Sequence, residues 1–102
     1  MLGFAEASVR HDYVNGCDTS PVAFLEGIYV RPEHRHQGVA RALVSAVQDW
    51  TQNQGLKELA SDALLENSSS HAMHKALGFS ETERVVYFRK MLDGDGTKVG
   101  AI

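Results

Sequence analysis

Cysteine is almost missing from this chain. Cys17 is the only one in 102 residues, which excludes an internal disulfide and any zinc site built on cysteine, and agrees with a reducing compartment. Basic charge is not in excess either. Ten Lys and Arg against thirteen Asp and Glu give a formal net charge of -3, so nothing is in surplus to neutralise a nucleic-acid backbone, and no nucleic-acid partner is expected. An acidic balance suits a cationic substrate better than an anionic polymer, although by itself it is an ordinary solubility charge. No apolar run approaches membrane-spanning length, and the opening Met1-Leu2-Gly3-Phe4-Ala5-Glu6 has no basic leader; the expectation is a cytoplasmic protein with no membrane partner. His11, His34, His36 and His71 are scattered without ligand spacing, so no metal is expected. Gly-Lys-Ser/Thr is absent, as is Gly-x-Gly-x-x-Gly, which removes a P-loop and a dinucleotide fingerprint.

What is present is an ordinary globular composition, 43% hydrophobic and 23% charged, in a length sufficient for one modest core. Residues 2–10 alternate loosely and read as a strand. Turn-forming residues then collect from His11 to Pro21. Residues 22–30 place Phe24, Ile28 and Val30 on one face and Ala23, Leu25 and Tyr29 on the other, the pattern of a central strand covered on both sides. Glu26 and Gly27 interrupt it: a carboxylate there must be bonded, paired or functional, and the glycine permits a bulge.

A turn at Arg31-Pro32-Glu33-His34 leads to a helix over about 38–54, with Val39, Leu43, Val47 and Trp50 at helical spacing and Gly55 as its stop. A third strand is expected over 56–63. A short helix follows, with N-cap candidates in Glu66-Asn67-Ser68-Ser69-Ser70 and Gly78 at its end. A final strand is expected over 82–91, carrying Val85, Val86, Tyr87 and Phe88, and residues 93–102 read as a flexible tail. The fold class is α/β, with helices connecting the strands of a twisted sheet.

The start of the long helix carries the first chemical signal. In a helix's first turn the amides lack internal partners and the peptide dipoles sum to partial positive charge, so a loop of small residues there makes an anion cradle. Gln37, Gly38, Val39, Ala40 and Arg41 supply the amides, and Arg35 and Arg41 flank them with guanidinium donors.

Arg35-His36-Gln37-Gly38-Val39-Ala40, directly after a strand, resembles the acetyl-coenzyme A pyrophosphate loop of the GCN5-related N-acetyltransferases. The likeness extends through Glu26-Gly27-Ile28-Tyr29-Val30, Asp62, Glu66-Asn67 and His74-Lys75-Ala76-Leu77-Gly78-Phe79. Phe24-Leu25-Glu26-Gly27-Ile28, Ala60-Ser61-Asp62, His11 to Asp18 and Glu81-Thr82-Glu83-Arg84-Val85 look specifically like the aminoglycoside 6′-N-acetyltransferases. The resemblance implies a mixed twisted sheet with flanking helices over residues 1–92, lacking the opening strand and helix pair of the family. It also implies acetyl-CoA as cosubstrate, an aminoglycoside amine as acceptor, and a homodimer.

The resemblance assigns roles as follows. Backbone N–H groups of the central strand around Ile28, Tyr29 and Val30 polarise the thioester carbonyl. Glu26 and Asp62 are candidates for the base, or for binding ammonium groups. His74 stands where the family often has a tyrosine that protonates the leaving thiolate, or is an exposed helical histidine without a role; Tyr87, on the last expected strand, is a second donor candidate. Asn67 reaches the pantetheine arm, or simply caps a helix. The acceptor stays open between an aminoglycoside and a polyamine, peptide or other small amine, and a non-catalytic fragment that binds coenzyme A or self-associates is the alternative to an enzyme.

Overall fold

The computed structural model describes residues 1–92; the tail expected at 93–102 lies outside them. Strand β1 (Gly3–Arg10) pairs antiparallel with β2 (Val22–Val30), and β2 pairs parallel with β3 (Leu59–Ser61), giving a mixed sheet in the order β1-β2-β3. Parallel strands need a long crossover, and helix α1 (Val39–Asn53) supplies it between β2 and β3. A 3₁₀ turn, Pro32–His34, leads into α1. Helix α2 (Ser68–Ala76) follows β3.

The core is small and centred on the first half of β2. Val22, Ala23, Phe24 and Leu25 are buried, and Val44 and Thr51 of α1 close over them. Thr51 donates its hydroxyl to the Val47 carbonyl at 2.8 Å, so its polar atom is satisfied inside the helix. Leu43, Val47 and Trp50 are half-buried and flank a shallow recess against Ala5 and Ala7 of β1. The apolar stripe of α1 is therefore centred one residue from the sequence expectation: Val44 and Thr51, two turns apart, point most directly at the sheet.

Two expectations are corrected. The third strand is shorter than the run 56–63, because only Leu59, Ala60 and Ser61 find partners, in Ala23, Phe24 and Leu25. The run 82–91 is not a strand. A run of β-branched and aromatic residues makes a strand only with a neighbour to complete the ladder. Beyond Phe79 the chain stands away from β3, and Val86, Tyr87 and Phe88 are 73%, 86% and 91% exposed.

Candidate acetyl-transfer site

The irregularity that sequence placed at Glu26-Gly27 is a β-bulge. Gly27 lies opposite Glu6 and Leu25 opposite Ala7, which leaves Glu26 without a partner on β1. The extra residue exchanges the sides to which the β2 amides point. Ahead of it the Ala23 N–H donates toward β3, to the Glu58 carbonyl at 3.1 Å; after it the Arg31 N–H donates the other way, to the Leu2 carbonyl at 2.8 Å. By alternation the amides of Ile28 and Val30 face away from β1 and that of Tyr29 faces toward it. Pairing with β3 ends at Leu25 and Ser61, so the amides of Ile28 and Val30 look into the gap where the two strands part. Such a gap offers unpaired N–H donors to a carbonyl that gains negative charge.

The amide end of α1 opens nearby. Gly38 is its N-cap, left-handed with φ of 82°, and gives no side-chain cap. The first N–H bonded within the helix is that of Ala42, to the Gly38 carbonyl at 3.0 Å. Among the described residues no backbone acceptor is recorded for the amides of Gln37, Gly38, Val39, Ala40 or Arg41. A Cβ on Gly38 would meet nothing within 4 Å, so the approach is open, and the donor set fits a diphosphate. Arg35 donates its Nε to the Val30 carbonyl at 3.0 Å and Arg41 donates to Ala76 at the C-terminal end of α2 at 3.1 Å. Each guanidinium is thus anchored on backbone while keeping further donors.

The acidic candidates differ in circumstance. The Glu26 carboxylate accepts from Arg10 at 2.8, 3.0 and 3.2 Å and from the Ser8 hydroxyl. Arg10 first and Ser8 second hold its carboxyl below the ordinary value. Asp62 lies just past β3, is exposed, and has no ion-pair partner among the described residues. It lines a cleft of about 1360 Å³, shared with Arg10, Phe24, His74 and Tyr87, that opens between β3 and the stretch after Phe79. Ile28, Tyr29 and Val30 on the β2 edge of the strand gap and the residues of the helix start lie outside that cleft, whereas Ser61, on the β3 edge of the gap, lines it.

His74 is not an idle surface histidine. Its Nδ1 lies 2.7 Å from the Ser70 carbonyl, which only accepts, so Nδ1 carries the proton. Nε2, at 2.8 Å from Ser61 Oγ, then accepts from that hydroxyl in the neutral ring. With both nitrogens engaged, His74 fastens α2 to β3. Tyr87 lies on the exposed stretch, 86% accessible. Asn67 caps α2, accepting from the Ser70 N–H at 3.1 Å.

Three partners escaped the sequence. Ser8 and Arg10, two apart on one face of β1, reach Glu26. Glu58 accepts from the Thr19 hydroxyl, the Asp18 N–H at 3.0 Å and the Thr19 N–H at 2.7 Å, tying the β1–β2 connection to the entry of β3. The Thr19 hydroxyl and the Asp18 N–H hold the Glu58 carboxyl below its ordinary value, while burial, then Glu58, push the Cys17 thiol up and away from nucleophilic use.

Residues 1–79 match the acetyltransferase (GNAT) family. The chain is 61% identical over 89 residues to the aminoglycoside N(6')-acetyltransferase type 1 of Salmonella typhimurium, a match covering 87% of this chain and 61% of that protein. It is 59% identical over 92 residues to the protein of the same description from Stenotrophomonas maltophilia, covering 90% of this chain and 60% of that one. Among solved structures, AAC(6')-Iy in complex with the bisubstrate analogue CoA-S-monomethyl-acetylneamine superposes with a TM-score of 0.84 at 59% identity, covering 89% of this chain and 62% of that chain. AAC(6')-IG from Acinetobacter haemolyticus, in its apo form, gives 0.84 at 55% identity, covering 90% and 63%. The mixed sheet with flanking helices is the fold of those structures. The chain spans about 60% of the length of the curated relatives it matches.

Proposed function

The chain belongs to the acetyltransferase (GNAT) family, and from that premise we propose that it carries an acetyl group from acetyl-CoA to a primary amine, the 6′-amine of an aminoglycoside, and so serves antibiotic resistance. The relatives described as aminoglycoside N(6')-acetyltransferases support the acceptor. The observation that carries the chemistry is the parting of β2 from β3 beyond Leu25 and Ser61, beside an amide-rich helix start.

In this reading the diphosphate of acetyl-CoA rests on the amides of Gln37 to Arg41, with Arg35 and Arg41 adding donors, and the acyl arm enters the strand gap past Asn67. The Ile28 N–H takes the thioester carbonyl oxygen as it becomes an oxyanion. The amine must first be unprotonated; Asp62, open on the acceptor side, accepts that proton through water. Nitrogen adds to the carbonyl carbon, its surplus proton passes to water, the carbon–sulfur bond breaks, and the coenzyme A thiolate leaves with the bond's electron pair. With His74 engaged by Ser61 and Ser70, Tyr87 is the side chain left to protonate it. No acyl-enzyme is formed.

Two copies associate in this proposal, because Val85, Val86, Tyr87, Phe88, Met91 and Leu92 leave an apolar run exposed; light scattering showing a lasting monomer would remove the dimer. A cytoplasmic place follows from the need for acetyl-CoA. Incubation with acetyl-CoA and a panel of neamine, kanamycin and spermidine, read by mass spectrometry, tests the function. A singly acetylated aminoglycoside is expected. Acetylated spermidine alone would replace the acceptor, and calorimetric binding of coenzyme A with no acetylated amine would leave a cofactor-binding domain without turnover.

A further inference from the structure

A guanidinium stands among the carboxylates of the acceptor side. Arg10 gives Glu26 three hydrogen bonds of 2.8 to 3.2 Å, and its guanidinium carbon lies 3.6 Å from the centroid of the Phe24 ring, a side chain only 5% exposed. Phe24 and Glu26 are two apart on β2, so one strand holds the guanidinium by its edge through the carboxylate and by its face through the ring. Moving Arg10 aside would forfeit both contacts. Asp62, from the other wall of the cleft, lies close enough for its charge to act on the same group. Asp62 itself has no ion-pair partner among the described residues.

Glu26 and Asp62 contribute two negative charges and Arg10 one positive, and the positive charge is bonded to Glu26 rather than to Asp62. An ammonium group reaching the end of β3 therefore meets Asp62 as the open carboxylate there, while Asp12, just after β1, and Glu83, beyond Phe79, stand elsewhere on the cleft lining.

We propose that Arg10 is a specificity-determining residue: it fills the cation position at Glu26 and leaves Asp62 as the carboxylate that takes an ammonium group at the end of β3. The inference rests on the amine-acceptor reading of this cleft. It gives Glu26 a part unlike that of a base. Clamped by Arg10 and Ser8, Glu26 is the fixed anion that keeps the guanidinium in place, and at the end of β3 the carboxylate open to an amine is that of Asp62.

The test compares binding of neamine, which carries several amines, with 6-amino-6-deoxyglucose, which carries one, by calorimetry at low ionic strength on the full chain. Arg10→Gln frees Glu26 as a second cation position, and neamine affinity should rise about fivefold while the single amine gains about twofold at most. Arg10→Lys, which keeps the charge, should hold the wild-type ratio, and Glu26→Gln in the Arg10→Gln background should erase the gain. A fall in neamine affinity on Arg10→Gln, or a gain that survives Glu26→Gln, would overturn the proposal. Carbon-13 NMR titration of the Glu26 carboxyl gives a readout free of any amine: its midpoint should move up in Arg10→Gln, and an unmoved midpoint would also overturn the proposal. If that midpoint moves as expected but neither amine binds wild type or variant, the acceptor reading fails and the specificity role falls with it, leaving the ion pair as a structural clamp.

Discussion

Nε2 of His74, on α2, lies 2.8 Å from Oγ of Ser61, the last residue of β3. The ring also sits edge-on to Phe79, with centroids 5.1 Å apart, and the Phe79 N–H donates to the His74 carbonyl at 2.9 Å where the helix ends. One side chain thus joins the strand, the helix and the turn that follows it, and Ser61 marks the point where β2 and β3 cease to pair. His74→Phe, which keeps an aromatic ring but no acceptor, and Ser61→Ala should each cost about 1–2 kcal/mol of stability. Because each variant leaves the other partner unbonded, the double variant should cost less than their sum. Urea denaturation of the set measures this, and strict additivity would show that the contact contributes nothing.

Acid stability follows from carboxylates whose protonated form the folded chain disfavours. Glu58 is bonded by the Thr19 hydroxyl and the Asp18 and Thr19 amides, so its folded-state pKa lies below the ordinary 4.5. A depressed carboxyl contributes stability that is complete above the unfolded value and is lost as pH falls through the folded one. Glu26 works in the same direction, through Arg10 and then Ser8. The urea midpoint should therefore fall once pH drops below the ordinary carboxyl value of 4.5, and Glu58→Gln should make that fall shallower. An unchanged acid limb in Glu58→Gln would mean that the loop bonds persist in the unfolded chain or never form.

Asp62 and Glu26 should part company under mutation. Asp62→Asn removes the open carboxylate at the end of β3, and turnover should drop about a hundredfold with coenzyme A affinity nearly unchanged. Glu26→Gln should lower turnover too, through the loosened Arg10, but keep more of it than Asp62→Asn does. Rate measurements paired with calorimetry decide this. Loss of coenzyme A binding in Asp62→Asn would place that residue on the donor side instead.

Much of this arrangement was legible in sequence where the determinant is local. β2 occupies the expected run 22–30, framed by Pro21 and by the turn at Pro32. α1 begins and ends within one residue of the expectation, fixed by Gly38 and Gly55, both at positive φ. The bulge was readable from a carboxylate and a glycine interrupting an apolar strand. What failed depends on partners far along the chain. Residues 82–91 have a strand's composition, yet composition does not say whether a neighbouring edge is within reach. Ser8, Arg10 and Glu58 look like ordinary strand and loop polar residues until register brings Ser8 and Arg10 beside the bulged Glu26 and carries Glu58 under the turn at Asp18 and Thr19. His74 stands out in sequence by its place in a motif, but its engagement with Ser61 depends on how α2 is rotated on β3, which periodicity does not give.

Gly38 separates the demands of the fold from those of the diphosphate. Its φ of 82° is left-handed, and an added Cβ would touch nothing within 4 Å, so Gly38→Ala should destabilise through backbone strain alone, by about 1 kcal/mol. Asn tolerates that conformation better than Ala, so Gly38→Asn should recover part of the stability while placing more bulk over the free amides. If a diphosphate lies against this backbone, coenzyme A affinity should therefore fall further in Gly38→Asn than in Gly38→Ala, opposite to the order of stability. Thermal melts and calorimetry on the same two proteins resolve the two orders. Were Gly38→Asn to bind coenzyme A as the wild type does, no phosphate approaches the chain at this point, and the amides of residues 37–41 would lose their assigned role.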